Sequence, residues 1–439
     1  MTDDRQHSSR NAAKNPSFAR HGRLKRHSVW RSIAKITASV VAVALVSGSA
    51  VAAYAAWDLA NTAKPTVSLG NAEVLDGVPD VGAMDGGVNV LVIGSDSREG
   101  QGDGFGDPDE ETAVLNDVTM LVHISQDHSH VEVISFPRDM FVSVPECTDP
   151  NDPTGEPLSA LSSVKINSVL AYGGMKCVVD TVQELTGVVI PFAAVVQFMG
   201  VVGLSQAVGG VEVCIAEPIE DEHTDLYLPA GNVELEGLPA LQFLRTRHGV
   251  GDGSDLGRIS NQQVFLSALA RKLQTGGTLS DPAALFGIAK AALSNMQLSD
   301  TLVNPTTMVS IALAMKDVDL AKIAFIQYPT GTTDGGVLPA DSAEIVNTAL
   351  QTDTPVIFDP EADEASFASA SDPTAIAGDA AEAPAEAPAE EPATDEAATD
   401  GTADTPAAPA PTTEALPSDV TGQTAAETRC SAGRPLEDQ

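Results

Sequence analysis

The sequence predicts an α/β layer fold, a mixed sheet covered by helices on both faces, and three observations carry that prediction. Short apolar runs of strand length recur at residues 88–93, 118–124, 131–136, 193–198, 211–215 and 323–326. Segments of helical period alternate with them at 164–172, 178–185, 200–208, 239–246, 261–273 and 281–294. Continuous apolar runs suit strands buried on both faces, and interleaved helices are what buries them. Finally, all these runs fall in the middle of the 439-residue chain, whose ends differ from it in composition.

At the amino end, residues 1–35 hold nine of the 24 Lys and Arg among Ser, Asn and His. Such a segment has too little apolar surface to fold alone and reads as a basic cytoplasmic arm. The 22 residues from 36 to 57 carry no charge, and Tyr54 and Trp57 stand near their end. As a helix this run crosses about 30 Å of hydrocarbon, with aromatic residues at an interface. The basic arm before it and Asp58 after it predict a single-pass membrane protein with a cytoplasmic amino terminus and everything beyond residue 58 outside. A long cleaved signal peptide, with small residues such as Ala53 and Ala55 near its end, is the alternative; both readings export the remainder.

Residues 58–87 read as a juxtamembrane linker. At the carboxyl end, residues 359–439 are Ala, Pro, Glu, Asp and Thr, with 19 acids against Arg429 and Arg434. That composition predicts a disordered, self-repelling acidic tail. Residues 58–358 between these ends suffice for one sizeable core.

Four cysteines in an exported chain point to bridges. Cys147 and Cys177 flank the Pro/Asp/Gly-rich stretch ECTDPNDPTGEP and are the preferred pair. Cys214, in a strand-like run, either pairs with Cys430 or remains a buried thiol. No C-x-x-C metal spacing occurs.

The exported core has 13 Lys and Arg against 40 acids. Its net charge of about −27 is of the wrong sign for nucleic-acid binding, which needs a basic face. Six of those 13 cations nevertheless fall in four short contexts: Arg98 in SDSR, Arg138 in PRD, Lys165 in VKIN, and Arg245, Arg247 and Arg258 in RTRHGVGDGSDLGR. Arg98 and Arg138 closely follow apolar strands, where ligand sites of open α/β sheets collect. Converging guanidiniums repel one another without an anion, and their fork matches phosphate oxygens. The plainer alternative is local pairing, Arg138 with Asp139 and Arg258 with Asp255.

Asp96 ends the first strand and Asp117 opens the second, so neighbouring strand ends each present a carboxylate. Carboxylates beside an arginine cluster are one way of holding Mg²⁺ against a polyphosphate. For Asp96 a turn or helix cap is the competing explanation.

At these residues the chain resembles the LytR-CpsA-Psr family over roughly residues 88–273. The resemblance rests on NVLVIGSDSR, NDVTMLVHIS, SFPRDMFV, KINSVLAYGG, TVQELTG, AVGGVEV, LPAGNVELEGLPALQFLRTRH and DLGRISNQQ, in that order and spacing. It implies a three-layer α/β/α catalytic domain at 88–275, residues 276–358 forming a further C-terminal part of the exported globular region. It also implies an extracytoplasmic, Mg²⁺-dependent phosphotransferase, with Mn²⁺ as a possible substitute. Such an enzyme moves a glycopolymer from a polyprenyl-pyrophosphate carrier to peptidoglycan or another envelope acceptor.

By the same resemblance, Asp96 and Asp117 hold the metal, and Arg98, Arg138, Lys165, Arg245, Arg247, Arg258 and Gln262 surround the pyrophosphate. Arg138, Asp96, Arg245 and Arg247 are the expected catalytic set, and the run 188–208 the expected lining of a tunnel for the isoprenoid tail. The chain departs from the family pattern at Leu115 and Asn261, where Arg is frequent, and at Asn116, usually Ser; both missing arginines are expected to lower the positive charge of the site. Hydrolysis of the same lipid carrier, or non-catalytic binding of an anionic polymer, are the rival functions.

Overall fold

The computed structural model describes residues 29–62, 66–70, 85–101, 105, 114–358, 417, 419–434, 436 and 439. It divides into two units, Met1–Asp58 and Leu59–Gln439. What is described of the first is helix α1 (Val29–Thr62) as far as Asp58, in which the 19 residues Ser32–Ala50, with Lys35 their one charge, are on average apolar, wholly exposed and long enough to cross a membrane. The helix starts before residue 36 and continues past residue 57, because nothing in the flanking Ser, Ala and Lys residues stops it.

The second unit opens with β1 (Val88–Ser95), β2 (Asn116–Ile124), β3 (Val131–Phe136), β4 (Phe141–Val144) and β5 (Leu161–Lys165). Then come α2 (Val169–Thr186), β6 (Phe192–Val196), α3 (Phe198–Ala207), β7 (Val211–Ile215), β8 (Ile219–Asp221), β9 (Leu226–Leu228), β10 (Gly231–Leu235), α4 (Leu238–Arg245) and α5 (Asp255–Thr275). The chain goes on through α6 (Pro282–Asn295), β11 (Met296–Leu298), α7 (Pro305–Ala314), β12 (Ile323–Gln327), β13 (Thr330–Thr333), β14 (Gly336–Pro339) and α8 (Ala343–Thr352), and ends with β15 (Gly422–Thr424) and β16 (Cys430–Ser431). Seven strands form a mixed sheet in the order β11-β6-β1-β2-β3-β12-β15, and β10-β7-β16 form a second, smaller sheet.

Side chains of the central strands alternate between two cores, as the period of two requires. Leu91, Ile93, Leu121 and Ile134 pack on one face with Val178 and Val182 of α2 and Val346 and Leu350 of α8. Val88, Ile124, Phe192 and Phe325 pack on the other with Leu293 of α6 and Ile311 of α7. These are the three layers of the expected α/β/α fold. A third core joins β7 and β10 to Phe243 of α4 and Phe265 of α5.

Three expectations are corrected. No boundary falls at residue 275: β11 and β12 are strands of the central sheet, so residues 276–358 complete the domain begun at 88. The segment 164–172 divides, with Val164 and Lys165 closing β5 and the helix beginning at Val169; it runs to Thr186, kinked at Gly173 and Gly174, the latter at φ 69°. The acidic tail expected to run unfolded to residue 439 does not do so. β15 pairs antiparallel with β12, β16 pairs parallel with β7, and Arg271 donates to the carbonyls of Ala425 and Glu427 at 2.8 Å each. This stretch, GQTAAETRCS, lacks the prolines of the repeats before it and offers backbone groups to two open sheet edges. Residues 359–416 lie outside the described residues.

The structure joins Cys147 to Cys177 across 30 residues and Cys214 to Cys430 across 216. The second bridge decides between the two alternatives left open for Cys214, and it lies where β7 and β16 run side by side.

Candidate phosphate site at the end of the central sheet

The antiparallel order of β1, β2 and β3 brings the end of β1, the start of β2 and the end of β3 to one end of the sheet. The register shifts between Gly94 and Ser95, so Ser95 pairs with Asn116, and such a bulge re-aims the residues beyond it. Gly94 serves close packing, since a Cβ there would lie 2.8 Å from Val118 Cβ. Asp96 and Leu115 pair reciprocally: the Asp96 amide donates to the Leu115 carbonyl at 3.2 Å, and Asp96 Oδ1 accepts from the Leu115 amide at 2.6 Å.

Asp96 and Asp117 both face a cavity of about 490 Å³ between the sheet and helices α3 to α6. Its inner wall is apolar, including Val92 and Met120 of the sheet, Val201 and Leu204 of α3, Leu266, Leu269 and Leu273 of α5, and Ile288 of α6. Its polar part carries Arg245, Arg247, Arg258 and Gln262 with the two aspartates. Helix α5 supplies both halves, because Arg258, Gln262, Phe265, Leu269 and Leu273 recur at helical spacing on one face.

The cations differ in how they are held. The Arg258 side chain is 6% exposed, donates to the Asp117 carbonyl at 2.7 Å and approaches Asp255 Oδ1 to 2.5 Å. Burial is the main influence and lowers its pKa, against the opposing charges of Asp255 and Asp117. Arg245, at the end of α4, places its guanidinium 4.3 Å over the ring of Phe198, a cation–π contact that leaves it exposed. Arg138 stands behind the cavity wall. It donates from Nη1 to Asp117 Oδ1 at 2.7 Å and lies near Asp139 and Asp255 at 3.5 and 3.8 Å. Burial, the largest single influence, lowers its pKa, but Asp117 and the other two carboxylates outweigh it and raise it.

Asp96 has a raised pKa, first because burial penalises the carboxylate and then because Asp117 is close; the Leu115 amide and the charge of Arg98 only partly offset this. Lys165 lies one step further out, on Asp139 at 2.7 Å. Burial alone would raise Asp139, but Lys165 and Arg138 together lower it.

The structure therefore brings Asp96, Asp117, Arg245, Arg247, Arg258 and Gln262 onto one surface, and keeps Arg138, Arg98 and Lys165 off it. Both local pairs weighed from the sequence, Arg138 with Asp139 and Arg258 with Asp255, exist within this network. The run 188–208 divides. Val196, Gln197, Phe198, Val201, Leu204, Ser205 and Val208 line the cavity, whereas Val188 and Ile190 belong to the core on the opposite face of the sheet.

The three departures from the family pattern also take definite places. Leu115 contributes its amide to Asp96. Asn261 faces away, donating to the Phe243 carbonyl at 2.7 Å and accepting from the Ser431 hydroxyl, so its amide replaces no charge on the cavity wall. Asn116 is buried, bonded to Thr119 and to the Leu170 amide.

Sequence reasoning missed Asp221, His223 and His248, which also line the cavity. Asp221 is buried and accepts from the amides of His223 and Thr224 and from the Thr246 hydroxyl at 2.5 Å; burial pushes its pKa up, and these hydrogen bonds outweigh that and lower it. The His223 and His248 rings stand 4.4 Å apart. His248 directly follows Arg247 and was within reach of sequence reasoning; Asp221, in an acidic stretch, was not.

A family model described as "LytR_cpsA_psr family" matches residues 49–352, and the chain belongs to that family. Among curated relatives it is 28% identical over 333 residues to the Corynebacterium glutamicum "Cell wall biosynthesis protein LcpA", covering 70% of this chain and 61% of the relative. It is 25% identical to the Bacillus subtilis "Polyisoprenyl-teichoic acid--peptidoglycan teichoic acid transferase TagT", covering 71% and 92%. The match to a second C. glutamicum protein, "Probable cell wall biosynthesis protein LcpB", spans about half of each chain, 49% in both cases. A solved "LytR-Csp2A-Psr enzyme from Actinomyces oris" aligns at 20% identity and TM-score 0.46 over 61% of this chain and 95% of that one.

Proposed function

We propose that the chain is an extracytoplasmic phosphotransferase that moves a glycopolymer from a polyprenyl-pyrophosphate carrier to a peptidoglycan hydroxyl or another envelope acceptor. One observation carries this reading: a single cavity is apolar along its inner wall and holds three arginines and three aspartates, Asp96, Asp117 and Asp221, at its polar part. An amphiphile with a hydrocarbon tail and a diphosphate head has the same division. The relative TagT, named for transfer of teichoic acid from a polyisoprenyl carrier to peptidoglycan, supports the same class of reaction. The length and apolar character of α1 and the basic arm before it support a single-pass anchor with a cytoplasmic amino terminus.

In this reaction the acceptor oxygen bonds to the phosphorus that carries the sugar, and the bond from that phosphorus to the bridging oxygen breaks. Polyprenyl phosphate leaves with the electron pair. Arg245, Arg247 and Arg258 neutralise the phosphoryl oxygens and the leaving group, and Gln262 adds an amide to the same wall. Arg138 holds Asp117 in place from behind. The acceptor proton passes to a carboxylate of the pair, such as Asp96.

Asp96 and Asp117 also suit Mg²⁺ or Mn²⁺. Their mutual repulsion would be relieved by a cation, and among the described residues no group of three or more His, Cys, Asp or Glu forms a closed metal site. Mg²⁺ bound through one or two carboxylates takes its other ligands from substrate phosphates and water. Bound there, it would neutralise diphosphate charge.

The test is to incubate the full chain in detergent with a polyprenyl-pyrophosphate oligosaccharide, peptidoglycan fragments and Mg²⁺, and to analyse products by mass spectrometry. The expected products are glycan phosphate on the acceptor and free polyprenyl phosphate, both lost with a chelator. Glycan phosphate released only to water would establish hydrolysis instead. Bound lipid with no turnover would establish a binding module.

A further inference from the structure

The segment that joins α4 to α5 carries Arg247 and His248 and sets the start of the helix that bears Arg258. It reads HGVGDGS, with Gly251 and Gly253 at φ 52° and 79°. A stretch so rich in glycine loses more conformational entropy on ordering than any other composition, so something outside it must hold it. On one side Asp221 takes the Thr246 hydroxyl. On the other the partner comes from the far end of the chain. The Gly251 amide donates to the Ala432 carbonyl at 3.1 Å, the Arg434 amide donates to the Gly249 carbonyl at 2.7 Å, and Val250 and Gly433 form an isolated antiparallel bridge. Immediately before these residues, Cys430 is bonded covalently to Cys214 on β7 and the Ser431 hydroxyl donates to Asn261 of α5.

We infer that residues 430–434 are a positioning strap for the phosphate site: by pairing with Gly249–Gly251 they fix the loop from which Arg247 reaches the cavity. The strap touches neither substrate nor the cavity wall and acts through the arginine loop. Its functional consequence rests on the phosphotransferase reading, whereas its structural consequence does not. The side facing away from the loop is closely packed, because a Cβ at Gly433 would collide with the backbone carbonyls of Glu217 and Pro218.

Gly433→Ala in the full chain therefore displaces the bridge while leaving both disulfides available. Hydrogen exchange of residues 247–254 is expected to accelerate by at least about tenfold, with β1 to β3 unchanged. Transfer turnover is expected to fall by a similar factor, with the melting temperature nearly constant. A second arm starts from folded wild-type sequence carrying a protease site between residues 359 and 416. After cleavage the strap stays attached through Cys214, so the loop keeps its slow exchange; reduction of the cleaved chain releases it, and reduction of the uncleaved chain is the control.

Slow exchange of the loop in both arms overturns the inference, as does a loosened loop with undiminished turnover. A loosened loop in a protein that shows no transfer even as wild type leaves the strap standing and removes the phosphotransferase reading alone.

Discussion

The central three strands end in a buried polar cluster at each end, and the two clusters differ in kind. Opposite the cavity, His130 bonds both oxygens of Glu132 at 2.8 and 3.0 Å, and His123 bridges Asn89 at 2.7 Å and Asp353 at 3.1 Å. Each ring there has a carboxylate, and burial is nearly complete for His123, His130 and Glu132. At the cavity end, among the described residues, Arg138 Nε and Arg258 Nε are buried without a hydrogen-bond partner, and Asp255 Oδ1 meets Arg258 at 2.5 Å as an ion pair without hydrogen-bond alignment. Burial and charge are common to both ends. What separates the candidate site from the structural network is the open cavity that Asp96, Asp117, Arg245, Arg247 and Arg258 line.

That contrast can be broken by mutation. The largest effect is expected from Arg247→Ala, which should lower transfer by about 10²–10³-fold, the scale of losing one charge-stabilising donor. The melting temperature should hardly move, because Arg247 is only half-buried and its charge repels that of Arg258. Asp96→Asn should abolish most transfer while keeping the acceptor oxygen for the Leu115 amide, so a normal urea denaturation curve should accompany the loss. Arg258→Ala joins the two properties: inactivity together with about 3 kcal/mol of destabilisation in urea, because it leaves buried carboxylate and carbonyl oxygens without their cation.

The opposite end should show stability effects alone. His130→Ala is expected to cost about 1–3 kcal/mol by stranding Glu132, with transfer rates unchanged. A change in transfer equal to that in the cavity mutants would abolish the distinction between the ends. The smallest effect is the pH dependence. Burial pushes the His130 imidazole down, but the hydrogen bond and charge of Glu132 outweigh it and raise its pKa above 6.5. The resulting stabilisation is fully present below about 6.5 and is lost as pH rises through the raised value. Thermal melts between mildly acid and alkaline pH should show this slope, and Glu132→Gln should flatten it.

The long apolar strands were legible because they are buried on both faces, and 131–136 and 211–215 coincide with β3 and β7. β11 was not, because MQL is three residues whose strand state depends on pairing with β6. α7 and α8 were likewise missed, each only ten residues long. In the site, the arginines were legible because clustered guanidiniums are unexpected in so acidic a chain, and Asp96 and Asp117 because of their place at neighbouring strand ends and the family resemblance. Asp221 was not, since one aspartate among Glu220, Glu222 and Asp225 carries no mark of its burial. The tail was misread for a related reason. Composition averages over a segment, and the few residues around Cys430 that pair with two sheet edges are diluted by the acidic repeats before them.

By itself the sequence determined the apolar helix near the amino end, the alternation of buried strands with helices, and the set of charged residues available for a phosphate site. Those follow from local composition and period, which act over a few residues. Only the tertiary structure decided which arginines face the cavity and which stand behind it, that Asn261 points away from it, and that residues 432–434 pair with the arginine loop. Those outcomes depend on groups far apart in the chain meeting at one place, and no local pattern encodes that meeting.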